Sequence, residues 1–264
     1  MDLGIRDRVA LVTGASEGLG FAVAQALAEE GARLAIAARR TEALQRAARN
    51  LLDRTGAAVL PVPCDVSRVE DVQRFVSCAA EHFGDRIDIL VCNAGGPPFG
   101  RPLDLNDEQW QQGFKLTLRS VVALCRSVIP HMRRRRWGRI VAITSTSARE
   151  PIDGLTLSNA LRPAVHGFLK SLSRDVGADN ILVNAVCPGS YLTQRHRDLL
   201  ARWAAEQGTT PENLLRQREA AVPLRRFGEP IELGRVVAFL CSEPASYVHG
   251  VSLPVDGGLC RGLL

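Results

Sequence analysis

The sequence predicts an α/β fold: a doubly wound, mostly parallel sheet of about seven strands with helices on both faces. Three observations carry that expectation. Short apolar runs alternate with helix-period segments from one end of the chain to the other. The runs are continuously hydrophobic, as in VALVT and ILVNAVC, which suits strands buried on both faces. At 264 residues and 46% hydrophobic composition, the chain has the material for a sizeable core.

The elements follow in order. RVALVTG opens as a strand and leads through a glycine-rich loop into the helix pattern GFAVAQALAEEG. RLAIAAR is the second strand and TEALQRAARNLLDRTG the second helix. AAVLPVP, DILVCNAG, GRIVAITS, ILVNAVCPG and GVSLPVDGG supply the remaining strands. Residues 190–228 interrupt the alternation with a polar, partly helical excursion. In open α/β sheets ligands bind beyond the carboxyl ends of the strands, so an excursion there reads as a lid. With no repeat or linker, residues 1–264 read as one domain. In LTLSNALRPAVHG, Pro163 lacks the N–H that a helix interior needs. The helix there is expected to begin late, near Asn159–Arg162, or to be kinked, leaving Ser158 at its entrance as a cap.

Composition excludes several classes. No apolar run approaches a membrane span, and the chain enters its first strand without a basic and apolar leader. A cytoplasmic protein with no membrane partner is expected. The net charge of +5 is almost wholly arginine, since Lys115 and Lys170 are the only lysines. The dense run HMRRRRWGR, residues 131–139, has no aromatic interleaving for base stacking. It reads as a solvated turn, and no nucleic-acid partner is expected. The seven cysteines show no metal-ligand spacing, so buried free thiols and no metal are expected.

The loop GASEGLG places Gly14, Gly18 and Gly20 between a strand and a helix. Gly14 permits the turn, Gly18 lets backbone approach a pyrophosphate, and Gly20 lets helix and sheet pack closely. Ser16, Glu17 and Leu19 fill the same loop. The flanking strand and helix make this a Rossmann-type nucleotide site. The second strand ends in Arg39 and Arg40, where a carboxylate would select NAD. Guanidinium groups suit a 2′-phosphate, so NADP is expected, with NAD possible.

These motifs extend into a resemblance over essentially the whole chain. The sequence resembles the short-chain dehydrogenase/reductase family, and within it the 3-oxoacyl-ACP reductase-like members. TGASEGLG matches its TGxxxGxG. CDVS places Asp65, followed by Val66, at its adenine-contacting acid. Asn93, Ala94 and Gly95 match its NAG motif, and Pro188, Gly189 and Thr193 match its PG-x-x-x-T. The resemblance implies cofactor contacts at those residues, a small-molecule carbonyl or alcohol substrate, and a homo-oligomer, usually a tetramer. It also implies a catalytic Asn, Ser, Tyr and Lys. Ser145 takes the serine position. Ser158 falls where the tyrosine stands, Arg162 where the lysine stands, and Thr117 where the asparagine stands. The only tyrosines are Tyr191 and Tyr247.

Carbonyl reduction needs a proton as well as a hydride. A serine hydroxyl is a far weaker acid than a tuned tyrosine, and an arginine stays protonated. Arg162 can still hold ribose hydroxyls. Replacement acids to weigh are Tyr191, beside Pro188-Gly189, and His196, which otherwise reads as a solvated helix residue. His166 lies two helical turns beyond Ser158, too far to serve there. Lys170 and Asp153 read as exposed. Two functions therefore stand open: an NADP-dependent oxidoreductase with an atypical site, or a catalytically silent NADP-binding sensor or partner protein. The GGPPFG loop at 95–100 and the lid should line the substrate pocket.

Overall fold

A computed structural model describes residues 1–263, apart from the side chains of Arg195, Leu199 and Arg202. Seven parallel strands form one sheet in the order β3-β2-β1-β4-β5-β6-β7. They are β1 (Val9–Thr13), β2 (Arg33–Ala38), β3 (Val59–Pro63), β4 (Ile89–Cys92), β5 (Gly138–Ile143), β6 (Ile181–Pro188) and β7 (Ser252–Val255). Each lies within an apolar run that the sequence marks as a strand. The strand order reverses beside β1, whose neighbours are β2 on one side and β4 on the other. Such a reversal opens the crevice where α/β sheets bind ligands.

Helices α1 (Gly18–Glu29), α2 (Thr41–Thr55) and α9 (Pro230–Leu240) sit over one apolar layer. Helices α3 (Val69–His82), α5 (Ser120–Arg135) and α6 (Thr156–Val176) cover the other. The excursion at 190–228 folds as α7 (Gln194–Glu206) and α8 (Pro211–Ala221) around a small core of their own, including Leu200, Leu214, Val222 and Phe227. Among the described residues no helix is long and apolar enough to cross a membrane.

Two expectations are corrected here. Helix α6 begins at Thr156, not near Asn159–Arg162, and carries Pro163 inside it. Tertiary contacts hold the first turn despite the proline. The Thr156 hydroxyl donates to the Gly100 carbonyl at 2.9 Å, and the Asn159 amide clasps both the N–H and the C=O of Ile152. Leu157 is fully buried. Within the arginine run Arg133–Arg136 are exposed at the end of α5, as a solvated turn requires, while Arg139 departs from that reading. Arg133 pairs with Asp179 and Arg134 with Asp85, each at 2.8 Å. Arg139 is buried, stacked on Trp137 opposite Arg8, and reaches Glu243 at 3.4 Å. These guanidiniums are spent on the chain's own carboxylates at the amino ends of the strands, opposite the ligand crevice.

Candidate active site

The glycine loop has the geometry its spacing predicts. Gly14 and Gly18 adopt φ of +59° and +62°, which L side chains rarely tolerate. A Cβ on Gly20 would lie 2.2 Å from the Gly14 carbonyl oxygen, so only glycine fits there. No side chain caps α1, and its first turn carries no acidic residue. Its N–H groups and positive dipole end are therefore available to a pyrophosphate. Ser16 and Leu19 flank this end half-buried, and Thr193 lies across it, 3.5 Å from where a Gly18 Cβ would be. Glu17 points away from the helix and pairs with Arg40 at 2.7 Å. Arg39 is exposed and makes no hydrogen bond or ion pair among the described residues.

The ends of β1 and β4 are tied together. The Asn93 N–H donates to the Thr13 hydroxyl at 2.9 Å, and that hydroxyl donates to the Asn93 carbonyl at 2.7 Å. The Asn93 amide donates to the Gly14 carbonyl at 3.1 Å. Asp65 closes the loop after β3, accepting the N–H and hydroxyl of Ser67 on one carboxylate oxygen.

A cavity of about 20 Å³ lies among Val66, Asn93, Ala94, Gly95, Thr117 and Arg162. That is room for one water. Thr117 reaches it from a single π turn, Lys115–Arg119, between α4 (Asp107–Phe114) and α5. Its buried hydroxyl has no hydrogen-bond partner among the described residues. Sequence reasoning thus brings Thr117 and Arg162 to the same place as the nucleotide motifs.

Beside the cavity, at the carboxyl end of β5, stands a chain of hydrogen bonds. Ser145 is in extended backbone and its hydroxyl oxygen accepts the Ser147 N–H at 3.0 Å. The Ser147 and Ser158 hydroxyls lie 2.9 Å apart. The Arg162 Nε–H donates to the Ser158 oxygen at 2.9 Å, and another guanidinium N–H donates to the Ile143 carbonyl at 3.3 Å. Ser158 is inside the first turn of α6 rather than capping it. Ser147, fully buried, is a member the sequence did not disclose. Its only signal was the hydroxyl-rich string TSTS at 144–147.

The replacement acids fare poorly. The Tyr191 hydroxyl donates to the Val255 carbonyl at 2.8 Å, and burial raises its pKa far above the ordinary range. Tyr191 is therefore corrected from candidate acid to structural residue, its ring packed against Gly228. His196 is not solvated. Its ring meets Phe227 edge-on at 4.9 Å between centroids, and burial, with Arg218 nearby, lowers its pKa to about 4. His166 bonds Thr144 at 2.9 Å, and burial and then Arg149 lower it to about 4. The Thr144 hydroxyl donates to the Val186 carbonyl, so the His166 Nε2–H must be the donor to Thr144. Lys170 is exposed and donates to the Gly250 carbonyl, and Asp153 is exposed. Among the described residues no cluster of metal ligands exists.

Two further segments named from the sequence lie at the ends of β6 and α6. Gly100 pairs with Leu155, and its N–H donates to the Gly154 carbonyl at 3.0 Å, so the 95–100 loop lies along the entrance to α6. Pro188 pairs with Val255 at the end of β6. A Cβ on Gly189 would fall 2.8 Å from the Asp256 side chain.

Comparison with known proteins agrees with this geometry. A family profile described as Enoyl-(Acyl carrier protein) reductase matches residues 14–260. Dehydrogenase/reductase SDR family member 4 of Oryctolagus cuniculus is 34% identical over 255 residues, covering 96% of this chain and 94% of the relative. The L-sorbose reductase of Gluconobacter frateurii, solved with NADPH and L-sorbose, superposes with a TM-score of 0.96 at 36% identity, each chain covered completely. A short chain oxidoreductase from Pseudomonas aeruginosa PAO1, solved with NADPH and described as containing an atypical catalytic center, superposes with a TM-score of 0.88 at 30% identity, covering 98% and 99% of the two chains. With the glycine cradle, the strand order and matches along nearly its whole length, the chain belongs to the short-chain dehydrogenase/reductase family.

Proposed function

We propose that this protein is an NADP-dependent oxidoreductase that reduces a small carbonyl compound, or oxidises the matching alcohol, through a degenerate site without an ionisable tyrosine. The observation that carries this is the hydrogen-bonded set of Ser145, which accepts the Ser147 N–H, the Ser147 and Ser158 hydroxyls, and Arg162, beside the nucleotide cradle. Its relatives solved with NADPH, one of them with an atypical catalytic center, support both halves of the reading.

The donor set fits the dinucleotide. The α1 N-terminus would take the pyrophosphate, Arg39 the 2′-phosphate, Asp65 and Val66 the adenine side, and Arg162 with Asn93 the nicotinamide ribose. When bound, the reduced nicotinamide supplies a hydride. The protein has to orient a carbonyl and deliver a proton. Ser145 uses its oxygen as acceptor for Ser147, which leaves its own hydrogen to donate to a carbonyl oxygen. Arg162 fixes the Ser158 hydroxyl, and Ser158 and Ser147 share the next hydrogen. The Ser147 backbone N–H separates that pair from the Ser145 hydroxyl, so the proton that Ser145 gives up would be replaced directly by water. Losing a positioned general acid costs a factor of ~10²–10⁴, so slow turnover is expected.

Assembly and location are proposed with it. The resemblance places the assembly contacts of such a tetramer on residues 107–134 and 159–178 and on the C-terminal strand region, and within the two helical segments Ala123, Phe168 and Leu172 are half-buried against the chain's own core. At the C-terminal strand region Val251 and Leu253, just before and on edge strand β7, are exposed apolar side chains. A tetramer joined through that edge is proposed, in the reducing cytoplasm that seven free thiols suit. Light scattering at micromolar concentration that gives a monomer would contradict the assembly.

A silent NADP-binding role is the second reading. It is favoured by the locked Tyr191 and by the burial that lowers His166 and His196 to about 4, so none of these three is poised to give a proton near neutral pH. The test follows NADPH oxidation with L-sorbose and ethyl 3-oxobutanoate as probes. Turnover that falls at least about tenfold in Ser145→Ala supports the enzyme. Tight NADPH binding with no turnover on a broad carbonyl panel supports the silent reading.

A further inference from the structure

Glu150 has no part in the chemistry above, yet it makes two short bonds over a long sequence separation. One carboxylate oxygen accepts the Arg261 N–H at 2.6 Å and the Gly262 N–H at 2.8 Å. Glu150 itself is fixed by the turn that follows Ser145, its N–H donating to the Thr146 carbonyl at 3.0 Å. The segment it grips has a defined path. From the end of β7, the Asp256 carboxylate accepts the Gly258 and Cys260 N–H groups at 2.9 and 2.8 Å. The Gly257 carbonyl accepts the Leu224 N–H, and Gly257 and Gly258 lie so close to Val222 and Pro223 that a Cβ would meet them at 2.8 and 3.2 Å. Leu259 packs on the lid core of Leu200, Val222 and Phe227. Segment 256–262 therefore runs from the base of the lid to the Ser145 turn, across the carboxyl ends of β5, β6 and β7.

We infer that Glu150 is a positioning residue of the substrate chamber: its carboxylate pins segment 256–262 between the Ser145 turn and the lid, making that segment a fixed wall that governs substrate affinity. This rests on the enzymatic reading for its kinetic consequence, but the pinning itself does not. A carboxylate oxygen suits the task because backbone N–H groups that would otherwise point to solvent become charge-assisted donors.

The test uses three single variants and one double variant. Glu150→Ala removes the acceptor, Arg261→Pro removes one donor, and Glu150→Gln keeps a carbonyl oxygen that can accept both N–H groups. Amide hydrogen exchange on the NADPH complex is read first. Glu150→Ala should lose protection at 257–262 and at Leu224, while Glu150→Gln should retain most of it. Unchanged protection in Glu150→Ala overturns the inference whether or not any ketone is reduced. KM and kcat are then measured with whichever of L-sorbose and ethyl 3-oxobutanoate is turned over. KM should rise ~10-fold in Glu150→Ala, with kcat and NADPH affinity nearly unchanged and KM largely restored in Glu150→Gln. Arg261→Pro should also raise KM, and the double variant with Glu150→Ala should add little beyond the single changes. Equal losses in kcat and NADPH binding, with no rescue by glutamine, would show a general structural defect and overturn the assignment. No turnover alongside lost protection would count against the enzymatic reading and leave the pinning confirmed.

Discussion

Cofactor choice should rest more on Arg39 than on its neighbour. The two arginines are adjacent and both exposed, but the structure treats them differently. Arg40 is held by Glu17 at 2.7 Å, whereas Arg39 has no hydrogen bond or ion pair to give up among the described residues. Two unit charges 4 Å apart in water attract by about 1 kcal/mol, and a 2′-phosphate carries close to two charges. Arg39 should therefore favour NADPH over NADH by about 2 kcal/mol, a factor of ~30. Arg40 must first surrender an exposed ion pair worth roughly 0.2–1 kcal/mol, so its contribution should be nearer tenfold. Arg39→Ala should then lower the NADPH-to-NADH affinity ratio more than Arg40→Ala, and Arg39→Asp should reverse the preference. Glu17→Gln should free Arg40 and raise the ratio about two- to fivefold. Fluorescence titration of each variant with both nucleotides measures this. Because the groups are exposed, the ratio should shrink between low and high salt. A larger loss from Arg40→Ala than from Arg39→Ala, or a fall in the ratio with Glu17→Gln, would refute the reasoning.

Other outcomes follow from the same geometry. Gly20→Ala should abolish NADPH binding and lower the melting temperature, because the new methyl would meet the Gly14 carbonyl at 2.2 Å; binding within a few-fold of the parent would count against the cradle. Tyr191→Phe should leave the pH profile of any turnover unchanged and cost about 1 kcal/mol of stability through the lost bond to Val255; a large kcat effect would return it to the list of acids. His166 and His196 bind protons at about 4 in the folded chain and at about 6.5 when unfolded. Stability should be full above pH 6.5 and fall as pH drops through about 4, the unfolded chain taking up protons first. His196→Phe, placed against Phe227 and Trp203, should weaken that acid dependence in melts compared at about pH 6.5 and about pH 4, the two ends of the window; an unchanged slope would show that other groups carry it.

The sequence by itself determined the sheet and the geometry of the glycine loop on which the proposed nucleotide site rests. These rest on local physics. Seven continuous apolar runs must be buried on both faces, and a glycine loop between strand and helix has few other uses. The resemblance named Ser145, Ser158, Arg162 and Thr117; the fold joins Ser158 to Arg162 by a hydrogen bond and sets Thr117 and Arg162 around one small cavity. The tertiary structure alone decided the rest. Pro163 argues for a late helix start, but Thr156 and Asn159 find partners on distant loops that outweigh one missing N–H. Tyr191 has the right chemistry and a suggestive position, and only the fold shows its hydroxyl spent on Val255. His196 looks solvated in a polar segment, yet α7 turns it onto Phe227, thirty-one residues away. The arginine run finds carboxylates from Asp85, Asp179 and Glu243, and Glu150 finds amides more than a hundred residues downstream. Each is a pairing of polar groups across long loops. Local sequence fixes which groups need a partner, while only the folded path of the chain decides which partner lies within hydrogen-bonding reach.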